Sequence, residues 1–251
     1  MPTPPPLPPE SRTIGQLVAE TIQAYRRHVL GAFGLGLPAA AVDVLGRELD
    51  SELWLLLSPV VGALLLTPAY IGAVLLVSGA RPGRPAIVTA FQAGALAFLP
   101  FPLLVAFFIL PGVAWLALVG LCVPVALLEE RGLGDSFRRA YRLARADYVH
   151  ALGGLATLAI VVFLVRTMLF FLLRDLGDST ALAASILADI VISPVLFLGA
   201  ALLYDDQAAR LVYSSAPTRR SDADLRDAVD ADGPGRPDAE VESRAPARGE
   251  P

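Results

Sequence analysis

The chain is poor in charge and in chemically reactive side chains. Charged residues make up 18% of its 251 residues, and it contains no lysine, so all twenty basic residues are arginine. A single cysteine, Cys122, excludes a disulfide or a cysteine-based metal site within one chain. The two histidines, His28 and His150, lack the spacing of a zinc site, and no nucleophile, phosphate-loop or calcium-loop motif occurs. We therefore expect no catalytic residue, no metal site, no cofactor and no enzymatic activity.

Apolar residues are correspondingly abundant, at 55% of the chain with a mean hydropathy of +0.60. These values are typical of an integral membrane protein. A spanning helix needs about 20 mostly apolar residues. The pattern predicts an all-α, polytopic transmembrane helical bundle of about six spans with cytoplasmic amphipathic interfacial helices. The predicted spans are Val29–Leu45, Leu53–Ser78, 95–110, 112–128, His150–Leu173 and Ala181–Tyr204.

The middle pair of spans comes from one uncharged stretch, residues 96–128, which is too long for one crossing and short for two. The turn signal Leu110-Pro111-Gly112 predicts that the stretch divides there. Both halves are then short, which leaves open whether they cross fully or form a re-entrant pair.

The arginines test this topology, because short cytoplasmic loops of membrane proteins are enriched in basic residues. Six crossings with both termini inside place only Arg47 and Arg174 in outer loops. We therefore predict a multi-pass protein of the cell inner membrane with cytoplasmic N- and C-termini. Eleven arginines then lie on the inner side: Arg12, Arg26, Arg27, Arg81, Arg84, Arg131, Arg138, Arg139, Arg142, Arg145 and Arg210.

The two ends of the chain read as tails around a membrane domain of residues 13–213. Residues 1–12 are rich in proline, which favours a disordered, polyproline-like segment. Residues 214–251 hold nine acidic residues and six arginines with few large apolar ones, a composition typical of disorder.

The most basic internal segment is SFRRAYRLARADY, residues 136–148. Helical spacing places four residues on one stripe, Phe137, Tyr141, Ala144 and Tyr148, beside four arginines, Arg138, Arg139, Arg142 and Arg145. Asp135 is the expected N-cap. Such an amphipathic helix suits a membrane interface. The arginines either only fix the orientation of the chain, or they also contact lipid headgroups or a protein partner.

Two weaker segments of the same kind are Thr13–His28, with Ile14, Leu17, Val18, Thr21 and Tyr25 on one side, and Pro85–Ala95. Together with residues 136–148 they suggest three units, each an interfacial helix followed by two spans.

Two ionisable residues, Arg166 and Asp189, fall inside the fifth and sixth spans, where an isolated charge costs about 2.5–3.5 kcal/mol. Each lies about 10–12 Å from the outer end of its helix at 1.5 Å per residue. We therefore predict an intramembrane ion pair between them. A proton or ion relay and snorkelling to the outer surface are the alternatives. Asp43, near the outer end of the first span, is expected to face water.

Three segments carry motifs of a known family: Ile14, Gly15, Tyr25, Arg26, Arg27 and His28; Pro124, Val125, Glu129, Arg138, Arg139 and Leu143; and Leu203, Tyr204 and Asp205. In these segments the chain resembles the bacterial glycerophosphoryl diester phosphodiesterase membrane domain family. The resemblance covers about residues 11–213. It implies a polytopic membrane domain that in some relatives is fused to a phosphodiesterase barrel, a catalytic domain that has no counterpart in this sequence.

The sequence therefore favours a non-catalytic membrane scaffold or accessory subunit. The expected partners are membrane lipids and a cytoplasmic or membrane protein. Nucleic acid is excluded, because no recognition motif occurs. The alternative is a transporter or lipid-handling protein, for which prolines such as Pro59, Pro68, Pro100 and Pro194 would supply broken spans.

Overall fold

The computed structural model describes residues 12–173 and 178–215. Every element in these residues is an α-helix, and no strand occurs among them, which confirms the all-α prediction. Residues 1–11 and 216–251, which hold most of the two predicted tails, lie outside the described residues, as does Arg174. The helices are α1 (Ile14–Arg27), α2 (Val29–Glu48), α3 (Ser51–Ser78), α4 (Arg84–Phe98), α5 (Phe101–Phe107), α6 (Ile109–Val119), α7 (Cys122–Leu128), α8 (Leu133–Ala146), α9 (Tyr148–Leu173) and α10 (Asp178–Ser215).

Among the described residues, six helical stretches are long and apolar enough to cross a membrane, so the predicted number of spans is confirmed and the chain is a multi-pass membrane protein. Two of these stretches are built from a pair of consecutive helices, α4 with α5 and α6 with α7. The spans are Val29–Glu48, Ser51–Ser78, Arg84–Phe107, Ile109–Leu128, Tyr148–Leu173 and Leu182–Val212.

The third and fourth spans separate at Phe108, so the predicted position of the break was wrong. Phe108 is extended, with φ −170° and ψ 147°, and it caps the start of α6. The Leu110-Pro111-Gly112 signal lies inside the first turn of α6. Proline is tolerated there because the first N–H groups of a helix have no intrahelical partner.

The third span also begins earlier than predicted, at Arg84, and has 24 residues rather than a short segment from residue 95. The interfacial helix predicted over Pro85–Ala95 is therefore the first part of this span. Its small residues Ala86, Ala90, Ala93 and Ala97 are buried. They let α4 pack closely against α3 and α7.

Most of the prolines proposed to break spans do not do so. Helix α3 continues through Pro59 and Pro68, and α10 continues through Pro194. Only Pro100 lies at a helix junction, between α4 and α5. The described spans therefore offer few of the discontinuities that transporter helices use for substrate binding.

Two amphipathic helices, α1 and α8, flank the spans. Thr13 begins α1 with a capping box to Gln16, and Leu17 and Thr21 are its buried residues. Helix α1 contacts α9, while α8 contacts α4, α6 and α7. The loop 79–83, the start of α9 and the end of α10 lie on the same side of the bundle. The Gly83 amide donates to Glu130, and the adjacent Glu129 accepts from Tyr204 of α10. Arg210 of α10 donates to Asp147, which directly precedes α9. We call this side of the bundle the terminal side.

Helix α8 differs from its prediction in two respects. It starts at Leu133 with Gly132 as the N-cap, so Asp135 lies in the first turn instead of capping it. Its buried residues are Ser136, Ala140, Leu143 and Ala144, whereas Tyr141 is exposed and Tyr148 belongs to α9. Of the predicted stripe, Ala144 is therefore buried, Phe137 and Tyr148 are partly buried against the core, and only Tyr141 departs from the prediction.

Candidate functional site

The four arginines of α8 have different environments. Arg139 is 25% exposed, and its Nε donates to Glu129 Oε1 at 3.2 Å. Arg138 is 73% exposed and pairs only weakly with Asp135 at 3.4 Å. The guanidinium of Arg145 lies 5.5 Å from the centre of the Tyr141 ring, a cation–π contact, and Arg142 is exposed. Arg139 therefore has a structural role, and the other three are presented to the surroundings. We call Arg138, Tyr141, Arg142 and Arg145 the α8 basic face.

Glu129, the residue that follows α7, fixes the position of α8. Its carboxylate accepts hydrogen bonds from Arg131 Nε at 2.6 Å, from Arg139 Nε and from the Tyr204 hydroxyl at 3.1 Å. Burial opposes ionisation of Glu129, but the hydrogen bonds from these three residues and the Arg139 charge outweigh it and lower its pKa. Glu129, Arg139 and Tyr204 all belong to the segments that carry the family resemblance, and the fold brings them together from 75 residues apart in the sequence.

A second polar cluster on the terminal side was missed by sequence reasoning. The buried carboxylate of Asp206 in α10 pairs with Arg12, which also contacts Glu20 at 3.1 Å. Arg210 donates to Asp147 at 2.8 Å and to the Arg12 carbonyl at 2.8 Å. The cluster joins Arg12, two residues before α1, to the α8–α9 junction and the end of α10. The sequence predicts that Arg12 belongs to a disordered tail, whereas in the structure Arg12 contacts Asp206 and Arg210 of α10.

This cluster retains buried polar atoms without a hydrogen-bond partner among the described residues, including Asp206 Oδ2 and Gln207 Oε1. His150 Nε2 lies 3.9 Å from Asp206 Oδ2, too far for a hydrogen bond. Buried polar atoms of this kind usually bind water. The only sequence signal was Asp206 and Arg210 at helical spacing, and their partners Arg12 and Asp147 are too distant in sequence to be inferred from it.

On the opposite side of the bundle, the fold brings Arg166 and Asp189 together. Arg166 Nη1 lies 3.0 Å from Asp189 Oδ1, and Asp189 is fully buried. Arg166 Nη2 also lies 3.5 Å from Asp43. Asp43 accepts a hydrogen bond from Ser185 at 2.8 Å and pairs with Arg47 at 3.0 Å, so the expectation that it simply faces water was wrong.

A cleft of about 370 Å³ opens beside this ionic cluster. Arg47, Arg166, Thr167 and Ser185 supply its polar lining. Its remaining described lining is apolar: Phe163, Leu169, Phe170, Leu173, Ala184 and Ala188. The cleft therefore has a cationic part and an apolar part, which is the pattern of an amphiphile-binding surface.

Comparisons with family models, with curated proteins and with solved structures found no significant match. Within the described part of the chain, no group of three or more histidine, cysteine or carboxylate residues is arranged to hold a metal ion. The exposed arginines among the described residues can recognise anionic groups.

Proposed function

We propose that this chain is a non-catalytic membrane scaffold or accessory protein, and that the α8 basic face binds an acidic surface of a protein partner. The single observation that carries this proposal is that the arginines of α8 have different environments. Arg139 ties the helix to Glu129 and Tyr204, while Arg138, Arg142 and Arg145 stay exposed. A rigidly held helix with exposed arginines is suited to electrostatic recognition.

The proposal includes the orientation and the family. An excess of arginine on the terminal side supports a cytoplasmic location for that side, in the inner membrane. The resemblance of three segments supports membership of the glycerophosphoryl diester phosphodiesterase membrane domain family.

The ionisable groups inside the spans support a scaffold over a transporter. Arg166 pairs with Asp189 and Asp43, and Asp206 pairs with Arg12. A transport path needs polar groups that remain available to a substrate. The carboxylates of Asp43, Asp189 and Asp206 are instead used to hold helices to one another.

The test is crosslinking in native membranes followed by mass spectrometry of the purified chain. A triple variant, Arg138→Ala, Arg142→Ala and Arg145→Ala, is compared with wild type and with a control, Arg81→Ala and Arg84→Ala, which removes exposed arginines elsewhere on the terminal side. A protein partner should be recovered with wild type and the control and lost, by at least about tenfold, from the triple variant. Equal recovery with all three proteins would reject the α8 basic face as the contact.

A lipid-handling role is the second candidate, and the observation that favours it is the cleft beside Arg47 and Arg166. In the same experiment, crosslinks from the cleft-lining helices α9 and α10 to lipid, with no protein partner recovered, would favour this candidate over the scaffold.

A further inference from the structure

We propose that the cleft between α9 and α10 binds one phospholipid from the membrane leaflet opposite the terminal side, with its phosphate on Arg47 and Arg166. This inference is independent of the scaffold proposal, because the cleft and the α8 basic face lie on opposite sides of the bundle.

The first argument is the charge that the cleft presents. The side chains of Arg47 and Arg166 are 47% and 40% exposed, and both line the cleft. The carboxylates of Asp43 and Asp189 orient these guanidinium groups, yet no carboxylate is present among the described residues that line the cleft. A ligand entering the cleft therefore meets the N–H donors of Arg47 and Arg166. Guanidinium groups bind phosphate through paired, charge-assisted hydrogen bonds.

The second argument is the apolar lining directly beside those donors. Phe163 and Phe170 of α9 form much of it, and the small side chains of Ala184 and Ala188 leave the space open. A volume of about 370 Å³ lies near the lower limit of small-molecule sites, which is about 300 Å³. It accommodates a headgroup and the upper part of an acyl chain. The rest of the acyl chain can follow the exposed apolar surface of α9, which includes Leu164 and Met168.

The third argument is depth. Arg47 is the penultimate residue of α2, and Arg166 lies seven residues before the end of α9, which corresponds to about 10 Å. Long arginine side chains at this depth extend toward the headgroup region. The two guanidinium groups therefore lie where the phosphate of a phospholipid lies, and a free inorganic anion would gain nothing from the apolar half of the site.

The test uses the full chain in nanodiscs of phosphatidylcholine that contain equal amounts of phosphatidylglycerol and of diacylglycerol with the same acyl chains. Native mass spectrometry then counts the lipids retained after gentle release. One phospholipid, phosphatidylcholine or phosphatidylglycerol, should be retained per chain. Relative to its abundance in the nanodisc, phospholipid should be retained in about tenfold preference to diacylglycerol, because both phospholipids carry a phosphate and diacylglycerol does not. Retention of diacylglycerol in proportion to its abundance would overturn the proposal, as would displacement of the phospholipid by an excess of inorganic phosphate.

Two variants locate the site. The double variant Arg47→Gln and Arg166→Gln should lower phospholipid retention about tenfold. Because loss of Arg166 leaves buried Asp189 without its closest partner, a second variant, Ala184→Leu, fills the cleft and keeps all the charges. It should lower retention to a similar extent. The control, Arg138→Gln and Arg142→Gln, removes the same charge from the terminal side and should retain the lipid. Retention by Ala184→Leu, or an equal loss in the control, would refute binding in the cleft.

Discussion

The carboxylate of Glu129 holds three neighbouring elements together. It receives hydrogen bonds from Arg131 in the following loop, from Arg139 in α8 and from Tyr204 in α10. A carboxylate that accepts several hydrogen bonds is held in its charged form, so its pKa falls despite partial burial. The orientation of the α8 basic face therefore depends on the ionisation of Glu129.

At this scale we predict an acid-sensitive contribution to stability. The pKa of Glu129 is lower in the folded protein than its ordinary value of 4.5. The stabilisation is thus fully present above about pH 4.5 and is lost as the pH falls through the folded-state pKa. Glu129→Gln should lower the free energy of unfolding at neutral pH and flatten its decrease below pH 4.5. Thermal unfolding in detergent micelles between pH 3 and pH 7 measures both effects.

The matched control for this prediction is Glu130→Gln. Glu130 is exposed and its recorded hydrogen bond, from the Gly83 amide, is long at 3.5 Å. If Glu130→Gln reduced stability at neutral pH as much as Glu129→Gln, the network around Glu129 would not be the cause.

Helices α2 and α10 approach each other closely at Gly36. A Cβ atom placed on Gly36 would lie 2.5 Å from the Ile190 Cα and 2.7 Å from its carbonyl carbon. Both are backbone atoms of α10, so they cannot move aside as a flexible side chain does. Small residues allow this type of approach in membrane bundles, where helix packing rather than the hydrophobic effect drives association.

We therefore predict that Gly36→Ala destabilises the bundle by about 1–3 kcal/mol, the usual cost of overpacking. Gly34→Ala is the matched control, because Gly34 lies in the same helix and a Cβ atom there has no neighbour within 4 Å. It should be neutral or stabilising by at most about 1 kcal/mol. The melting temperature in detergent distinguishes the variants, and similar melting temperatures for both would exclude a tight α2–α10 contact at Gly36.

The elements also show where a sequence pattern is an unreliable guide. Proline and glycine at Leu110-Pro111-Gly112 signalled the end of a helix, yet a proline in a first turn satisfies the same pattern from inside the helix. The arginine and aromatic residues of α8 indicated the helix correctly. Its buried residues, however, are Ser136, Ala140, Leu143 and Ala144, and only Ala144 among them belongs to the predicted stripe.

For the whole molecule, six spans place the two ends of the membrane domain on one side, and the distribution of arginine indicates which side that is. The only cysteine, Cys122, is fully buried. It should therefore not react with a membrane-impermeant maleimide, so cysteines introduced one at a time can report the topology without interference.

We predict that Asp50→Cys, between α2 and α3, is labelled in intact cells or spheroplasts, whereas Arg81→Cys, between α3 and α4, is labelled only after the membrane is opened. Both positions are exposed. Wild type should remain unlabelled in both cases because its thiol is buried. The reverse pattern would show that the terminal side faces outward, and labelling of both variants in intact cells would contradict their location on opposite sides.

The sequence by itself determined the class of protein, the number of spans and the existence of α1 and α8. Each of these follows from hydrophobicity and periodicity along a local stretch of chain. It also indicated that the two intramembrane charges, Arg166 and Asp189, would need partners and lie at similar depths, because an isolated charge in the bilayer is costly.

Only the tertiary structure decided how the polar residues are distributed among partners. Arg12 meets Asp206 across 194 positions, and Ser185 meets Asp43 across 142. Likewise, the structure alone distinguishes Arg139, which is bound to Glu129, from its three exposed neighbours. These contacts are set by the close approach of distant helices, which local periodicity does not encode, because it specifies the face of each helix but not the helix that will cover it.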